Sequence, residues 1–199
     1  MQLSSCARSI LPLAVATLCA IPLGAQGHNH PAAPVPPSAE AQRAFTLIKS
    51  LSGAWRGPVV DPTTNLQVNS EVTLRVTSRG HSVVHEIKPP DATDNPMKND
   101  HPVTMMYIDG ANLLLTHYCD AGNRPRMTAR VSDDGKQIDF DFIDLTGPTT
   151  YGHMQHVRFT LLDATHHIED WTYEMPDGKT YTGHFDLKRA PDVATVSAK

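Results

Sequence analysis

The residues of this chain that could do chemistry are concentrated in one short apolar stretch, residues 113–119 (LLLTHYC). The apolar run predicts a β-strand, in which successive side chains point to opposite faces. One face then carries Leu113, Leu115, His117 and Cys119. An imidazole and a thiol at the end of an apolar row either cap a closed core or form part of a pocket wall. The sequence therefore predicts a candidate site at the end of this strand.

Other polar residues fall on the inward side of later strands when those strands are written with their apolar residues inward. These candidates are His153, Gln155, His167, Glu169, Tyr173 and Tyr181. A barrel too narrow for a ligand is filled with Val, Ile and Leu, so this many polar groups favours a cavity that holds a ligand or water. The alternative is a closed core in which these groups hydrogen-bond to one another and to trapped water. Arg126 is a further candidate, since a guanidinium group at the mouth could receive an anionic group.

Catalysis by a thiol is a rival interpretation of His117 and Cys119. Side chains two residues apart on one strand stand about 6–7 Å apart, which is too far for a hydrogen bond. A base would have to come from another strand, in a cluster that includes Glu169. We therefore assign no catalytic residue, and an enzyme stays an alternative.

Metal binding has two candidate places. His117 and Cys119 share one face of a strand, but a zinc ion would need a third and a fourth ligand from neighbouring strands. Near the N-terminus, cleavage after Ala25 would expose a new terminal amine two residues before His28. That amine, two backbone amides and the imidazole could bind Cu(II) or Ni(II) in a square plane.

The first 25 residues predict a secretory signal peptide. Arg8 lies in the polar start, residues 10–20 form a short apolar run, and residues 23–25 resemble a cleavage site. The apolar run is too short for an ordinary membrane span. We therefore expect a periplasmic or secreted protein without stable membrane insertion.

The composition argues against one class of partner and against an intramolecular disulfide. The formal net charge is −4 and the sequence pI about 6.2. With no run of Lys or Arg, this balance argues against a nucleic-acid partner. Cys6 and Cys19 would leave with the signal peptide, so Cys119 would remain alone and we expect no intramolecular disulfide.

A linker and a helix follow the predicted signal. Residues 26–37 are rich in Pro and Ala without apolar periodicity, and we expect them to be extended. Ser38 is a suitable N-cap and Glu40 suits the first turn. Apolar residues then recur at helical spacing: Ala41, Ala44, Phe45, Ile48 and Leu51. The pattern predicts an amphipathic helix of about three turns that ends at Gly53.

From Trp55 onward the apolar period changes from helical to alternating, which predicts about ten β-strands without intervening helices. Each strand follows its neighbour in sequence and has one apolar face. Closure into an up-and-down antiparallel barrel removes the sheet edges most simply, and a two-sheet sandwich is the alternative. We predict an all-β barrel domain over residues 38–189, closed at one end by the N-terminal helix. Residues 190–199 are expected to form a disordered tail.

The last hairpin predicts its own register. If residues 176–177 form a type I turn and Gly178 adopts the left-handed conformation, Tyr173 pairs with Tyr181. The shared face then carries Trp171, Tyr173, Tyr181, Phe185 and Leu187. We expect the four aromatic residues of this face to form the wall of the ligand cavity.

The segment 51–57 (LSGAWRG) resembles the opening of calycin barrels, in which a helical lead-in precedes the lipocalin-type G-x-W motif. In that superfamily the Trp closes the barrel base under a basic residue from a late strand. The resemblance implies this role for Trp55, with Arg189, Arg158 or Lys188 above it. The strand count is closer to nitrobindin, a ten-stranded haem-binding barrel, than to an eight-stranded lipocalin.

Haem is the cofactor that this resemblance implies. A single inward histidine suffices to hold haem iron, and His117, His153 and His167 each qualify. The centre of the chain, residues 116–119 and 122–127, is also similar to uncharacterised exported bacterial proteins of this shape.

These patterns together predict an exported, monomeric, calycin-like barrel that binds a small, largely apolar molecule. His117, Cys119 and Arg126 are expected to set the polarity of the cavity. The rival functions are a haem protein of nitrobindin type and an enzyme that uses a His/Cys/Glu cluster.

Overall fold

The computed structural model of the protein describes residues 35–60, 65–88 and 101–191. In these residues the chain forms one α-helix, one short 3-10 turn at Ser78–Gly80 and ten β-strands. The helix is α1 (Ala39–Ser50), and the strands are β1 (Gly53–Val60), β2 (Gln67–Thr77), β3 (Ser82–Lys88), β4 (Val103–Asp109), β5 (Asn112–Tyr118), β6 (Arg124–Val131), β7 (Gln137–Thr146), β8 (His153–Asp163), β9 (His166–Glu174) and β10 (Thr180–Arg189).

The ten strands form a closed antiparallel barrel in which each strand pairs with its neighbours in sequence, and β1 pairs with β10. The predicted up-and-down barrel with one helix is therefore confirmed. The predicted register of the last hairpin is also confirmed, because Tyr173 lies opposite Tyr181 and Trp171 lies opposite Gly183. Gly178 has a φ of 80°, the left-handed conformation that the turn requires.

Helix α1 packs its apolar stripe against the barrel. The Ser38 side chain accepts a hydrogen bond from the backbone N–H of Ala41 at 3.1 Å, which caps the helix N-terminus. The buried residues of the helix are Ala41, Ala44, Phe45 and Ile48. Arg43 donates to the carbonyls of Ser132 and Asp133 in the turn between β6 and β7. These bonds hold the helix over one end of the barrel, which we call the helix end.

Arg189 and Trp55 join the last and first strands at the helix end. The two residues are register partners across β1 and β10, and the Arg189 guanidinium lies 4.2 Å from the centroid of a buried Trp55 ring. Arg189 also donates to the carbonyl of Ser52 at 2.8 Å and to that of Ser50 at 3.3 Å. One side chain thus connects the seam of the barrel with the end of α1.

The seam between β1 and β10 depends on the absence of a side chain at Gly57. A Cβ atom at this position would overlap the backbone carbonyl of Asp186 on β10. The two strands approach closely here because glycine leaves the space empty.

Several predictions concern segments outside the described residues. The signal peptide, most of the linker, Cys6, Cys19 and the candidate metal ligand His28 all belong to them. Within the described residues, no helix is long and apolar enough to cross a membrane.

Candidate functional site

The barrel interior is fully sealed at the helix end and becomes partly exposed toward the opposite end. Trp55 and Leu187, near the helix, are completely buried. The opposite end, here called the far end, includes the turns at residues 119–123, 147–152 and 175–179. Side chains near it are half-buried: Phe142, Met154, Tyr173 and Tyr181. A molecule that entered from the far end would meet these side chains first.

The carboxylate of Glu169 on β9 is the centre of a hydrogen-bond network inside the barrel. His85 Nε2 on β3 lies 2.9 Å from its Oε2, and His167 Nε2 lies 2.9 Å from its Oε1. The indole N–H of Trp171 donates to Oε2 at 2.9 Å. Glu169, His85 and His167 are completely buried. A buried charge needs partners of this kind, since an isolated carboxylate in an apolar interior is very costly.

The network keeps Glu169 ionised. Burial by itself raises the pKa of this carboxyl group, but the attraction to His85 and the hydrogen bonds from His167 and His85 outweigh burial. The pKa of Glu169 therefore lies well below its ordinary value. Because a carboxylate only accepts, both Nε2 atoms must donate to it. The opposite nitrogens, Nδ1 of His85 and Nδ1 of His167, are buried with no partner in the described structure.

Trp171 separates this network from a third interior imidazole, that of His117 on β5. The Trp171 ring centroid lies 5.1 Å from that of His85 and 5.4 Å from that of His117. Because Glu169 holds the indole N–H, the orientation of the ring is fixed. Along β9, Trp171 lies between Glu169 and Tyr173, so its ring separates the buried network from the far end. We call this ring the floor.

His117 is held by a single hydrogen bond. Its Nδ1 lies 2.9 Å from Oγ1 of Thr104 on the neighbouring strand β4, and its side chain is almost entirely buried. Its Nε2 makes no hydrogen bond to any residue that the structure describes, and it is not among the fully buried, unpartnered nitrogens. Nε2 of His117 is therefore the interior imidazole nitrogen that a ligand could use.

His117 is neutral at physiological pH. Burial and, to a smaller extent, repulsion from His85 lower the pKa of His117 to about 4, against an opposing attraction to Asp120. A neutral imidazole can donate or accept one hydrogen bond at Nε2, or coordinate a metal there.

Aromatic and aliphatic side chains lie on the inward faces of the strands between Trp171 and the far end. Tyr173 is opposite Tyr181 on β10 and opposite Met154 on β8. The Tyr173 hydroxyl donates to the carbonyl of Tyr151 at 2.8 Å. Partial burial, together with the nearby Cys119 and Asp120, raises the pKa of Tyr173 to about 12. The phenol is therefore neutral and anchored to the rim.

Gly183 leaves a gap in this wall. It is opposite Trp171 and lies between Tyr181 and Phe185 on the inward face of β10. An added Cβ atom there would make only ordinary contacts, with Phe185 Cε2 at 3.4 Å and the Trp171 carbonyl oxygen at 4.0 Å. A small side chain would therefore fit at this level of the barrel.

Arg126 does not face the lumen, which corrects its predicted position. Met127 is buried inside the barrel, and Arg126 lies on the opposite, outer face of β6 because side chains alternate. Its Nε and Nη2 donate to the two carboxylate oxygens of Asp144 at 2.8 and 2.6 Å. This bond raises the pKa of Arg126 and lowers that of Asp144. The guanidinium is thus committed to its outer-face partner.

A β-bulge in β8 interrupts the alternation from which the inward positions of His153 and Gln155 were predicted. Met154 pairs with Tyr173 and His156 pairs with Thr172, so Gln155 is the extra residue. The bulge places Met154, rather than its neighbours, on the same face as Tyr173. His153 instead packs against Phe142, with ring centroids 4.7 Å apart.

Cys119 lies just beyond the end of β5, in the turn at the far end. It is half-buried, and its Sγ donates to Asp120 Oδ1 at 3.3 Å. The hydrogen bonds of Glu169 go to His85, His167 and Trp171, not to Cys119. The structure therefore does not bring the predicted His/Cys/Glu cluster together.

The structure adds two interior residues that the sequence reasoning missed, His85 and Thr104. Both follow the strand alternation: Val83, His85 and Ile87 share one face of β3, and Thr104 shares a face with Met106 on β4. Counting polar residues on every inward face would have found them. The interior also holds the predicted His117, His167, Glu169, Trp171, Tyr173, Tyr181 and Phe185.

The described residues offer little else that could form a site. They contain no group of three or more His, Cys, Asp or Glu residues arranged to hold a metal ion. A cleft of about 470 Å³ lies near the turn at residues 132–137, and one of about 350 Å³ is lined by residues of β1 and β2. Neither cleft contains any of the interior histidines.

Comparison with known proteins defines the fold but not the function. No family model matches the chain, and no curated protein matches it either. The fold is similar to that of Rv2717c from M. tuberculosis, with a TM-score of 0.54, 10% identity, and coverage of 74% of this chain and 98% of that chain. A protein of unknown function from the DUF3598 family of Nostoc punctiforme PCC 73102 gives a TM-score of 0.49 and 10% identity, over 82% of this chain and 53% of that chain. At such identities the likeness concerns the fold alone.

Proposed function

We propose that this protein is a calycin-like barrel that binds a small, largely apolar molecule between Trp171 and the far end. The observation that carries the proposal is His117, a buried neutral imidazole with its Nε2 uncommitted, next to the fixed ring of Trp171. Its aromatic and aliphatic surroundings suit an apolar molecule with one polar group.

The contrast between the two halves of the interior supports this position. Near the helix end, Glu169 accepts hydrogen bonds from its two histidines and Trp171, so the Nε2 atoms and the carboxylate there are already paired. Toward the far end, Tyr173 and Tyr181 are half-buried. Ligand sites generally combine such an apolar wall with a few placed polar groups.

We further propose that the protein acts in the periplasm or outside the cell as a monomer. The support is the predicted signal peptide over residues 1–25. The catalytic rival has less support, because the carboxylate of Glu169 is sealed from solvent and no described hydrogen bond joins it to Cys119.

Native mass spectrometry of protein purified from its own host tests the proposal. We expect a co-purified molecule of small mass, bound by the wild type and lost in His117→Phe, which keeps the packing but removes the nitrogen. The control is His81→Phe, a change at an exposed histidine away from the lumen. Equal retention of the molecule by both variants would contradict the proposed site.

Haem is the second candidate, and the same imidazole favours it. His117 could hold the iron through Nε2 if the ring proton lay on Nδ1, which would then donate to Thr104 Oγ1. His167 is not suited, because its Nε2 is bound to Glu169. Bound haem would supply redox or gas-binding chemistry at the far end. If the purified protein shows a Soret band that disappears in His117→Phe, the ligand of this site is haem rather than an apolar molecule.

A further inference from the structure

Thr104 occupies a position that controls which nitrogen of His117 carries the proton. His85, Thr104 and His117 lie side by side on β3, β4 and β5, since Thr104 is the register partner of both histidines. Thr104 is 1% exposed, so water cannot readily satisfy its hydroxyl. Its Oγ1 makes one hydrogen bond in the described structure, to His117 Nδ1 at 2.9 Å.

The hydroxyl proton of Thr104 therefore has one acceptor within reach, the Nδ1 atom of His117. If Nδ1 carried the imidazole proton, Nδ1 would donate to Oγ1 and the hydroxyl proton would be buried without a partner. An unsatisfied buried donor is costly, so the hydroxyl donates and Nδ1 accepts. The proton of the neutral ring then lies on Nε2, the nitrogen that the protein leaves uncommitted.

We propose that Thr104 fixes His117 in the Nε2–H form, so that the far-end pocket offers one N–H donor and selects apolar molecules that carry an uncharged carbonyl group. This inference rests on the proposed function, and it names the class of ligand: a ketone, an aldehyde or an ester on an apolar body. An alkane gives the N–H no partner, and a protonated amine presents only donors to it.

The surroundings of His117 disfavour a ligand whose carbonyl group carries a charge, such as a carboxylate. A single neutral N–H cannot replace the hydration shell of a carboxylate in a nearly buried site. The ionised Glu169 lies directly beneath the floor, bonded to the Trp171 indole that contacts His117. Its negative charge opposes a second anion in the pocket.

The first test reads the tautomer without any ligand. Long-range ¹H–¹⁵N NMR of the side chain of His117 at pH 7 should show the proton on Nε2. In Thr104→Val, which keeps the shape but removes the hydroxyl, we expect a mixture of the two forms. Thr116→Val is the matched control, since Thr116 lies on the outer face of β5 and bonds the Tyr107 hydroxyl. A proton on Nδ1 in the wild type would overturn the proposal.

The second test measures selectivity with four probes of equal chain length: decan-2-one, decane, decanoate and decylamine. We expect decan-2-one to bind about tenfold more tightly than decane, which is the contribution of one net hydrogen bond. Decanoate and decylamine should bind no better than decane. The preference for the ketone should disappear in His117→Phe and shrink in Thr104→Val, whereas Thr116→Val should keep it.

The outcomes separate this inference from the proposed function. Equal binding of decan-2-one and decane, or tighter binding of decanoate, would overturn the selectivity and leave a ligand-binding barrel. If none of the four probes binds while NMR finds the proton on Nε2, the proposed function itself fails and the ligand class fails with it.

Discussion

Glu169 is the residue that most constrains the interior of this barrel. Its carboxylate is completely buried and accepts from His85, His167 and Trp171. Removing one partner of such a buried charge commonly costs about 3–5 kcal/mol, because the charge is left uncompensated. His85 and His167, of which only His167 was a predicted haem ligand, therefore hold a carboxylate, and that carboxylate in turn orients Trp171.

Acid should weaken the fold through His117. Its pKa falls from an ordinary 6.5 to about 4 on folding, so the unfolded chain binds the proton first as the pH falls. The stabilisation that the neutral His117 contributes to the fold is therefore fully present above pH 6.5. It is lost as the pH falls toward 4, by about 3 kcal/mol. Denaturant unfolding at a series of pH values measures the loss, which should be largely absent in His117→Phe and retained in His81→Phe.

A second loss should follow at lower pH through Glu169. Its pKa in the fold lies below the ordinary value of 4.5, so its stabilisation is present above that pH and is lost as the pH falls further.

A stability curve for His117→Phe that matched the wild type between pH 6.5 and 4 would show that the imidazole is not buried and neutral as described.

The inward positions that were predicted from sequence and agree with the structure lie on regular strands, where alternation decides the face. His117, Glu169 and Trp171 are of this kind. The alternation fails around His153 and Gln155, because β8 contains a single extra residue and no feature of its sequence marks the bulge. The pairing of His85 and His167 with one carboxylate was also out of reach, because it joins strands far apart in the chain.

Among the secondary-structure elements, the turns contributed most to the predictions that could be made from the sequence. The Pro-Asp-Gly sequence at residues 176–178 fixed the register of β9 and β10, and the structure has that register. The helix was predictable from its N-cap and apolar stripe. The seam between β1 and β10 was not, because it depends on a close approach of two backbones at Gly57 that no local pattern encodes.

Gly57→Ala should therefore damage the closure of the barrel. The added methyl group would overlap the Asp186 carbonyl, and overpacking of this kind costs about 1–3 kcal/mol or more. The matched control is Gly183→Ala, a second strand glycine where an added Cβ has room, and its effect should stay within about 1 kcal/mol. Chemical denaturation compares the two, and an equal cost for both would contradict the described seam.

At the scale of the whole molecule, the barrel divides into a sealed half and a partly exposed half. The helix end is held by Arg189, Trp55 and the α1 stripe, and a buried apolar cluster surrounds it. The far end has half-buried aromatic residues and the uncommitted Nε2 of His117. The fold class followed from ten alternating strands, whereas the division of the lumen required the side-chain contacts.

The proposed function requires that the lumen has room for a ligand at the level of Gly183. The free energy of unfolding of Gly183→Leu tests this requirement. If a ligand normally occupies this space, the leucine fills it, and the unfolding free energy of the ligand-free variant should stay within about 1 kcal/mol of the ligand-free wild type. If this level is instead packed core, the leucine must displace Phe185 or Trp171, and a loss of about 3 kcal/mol or more would contradict the account.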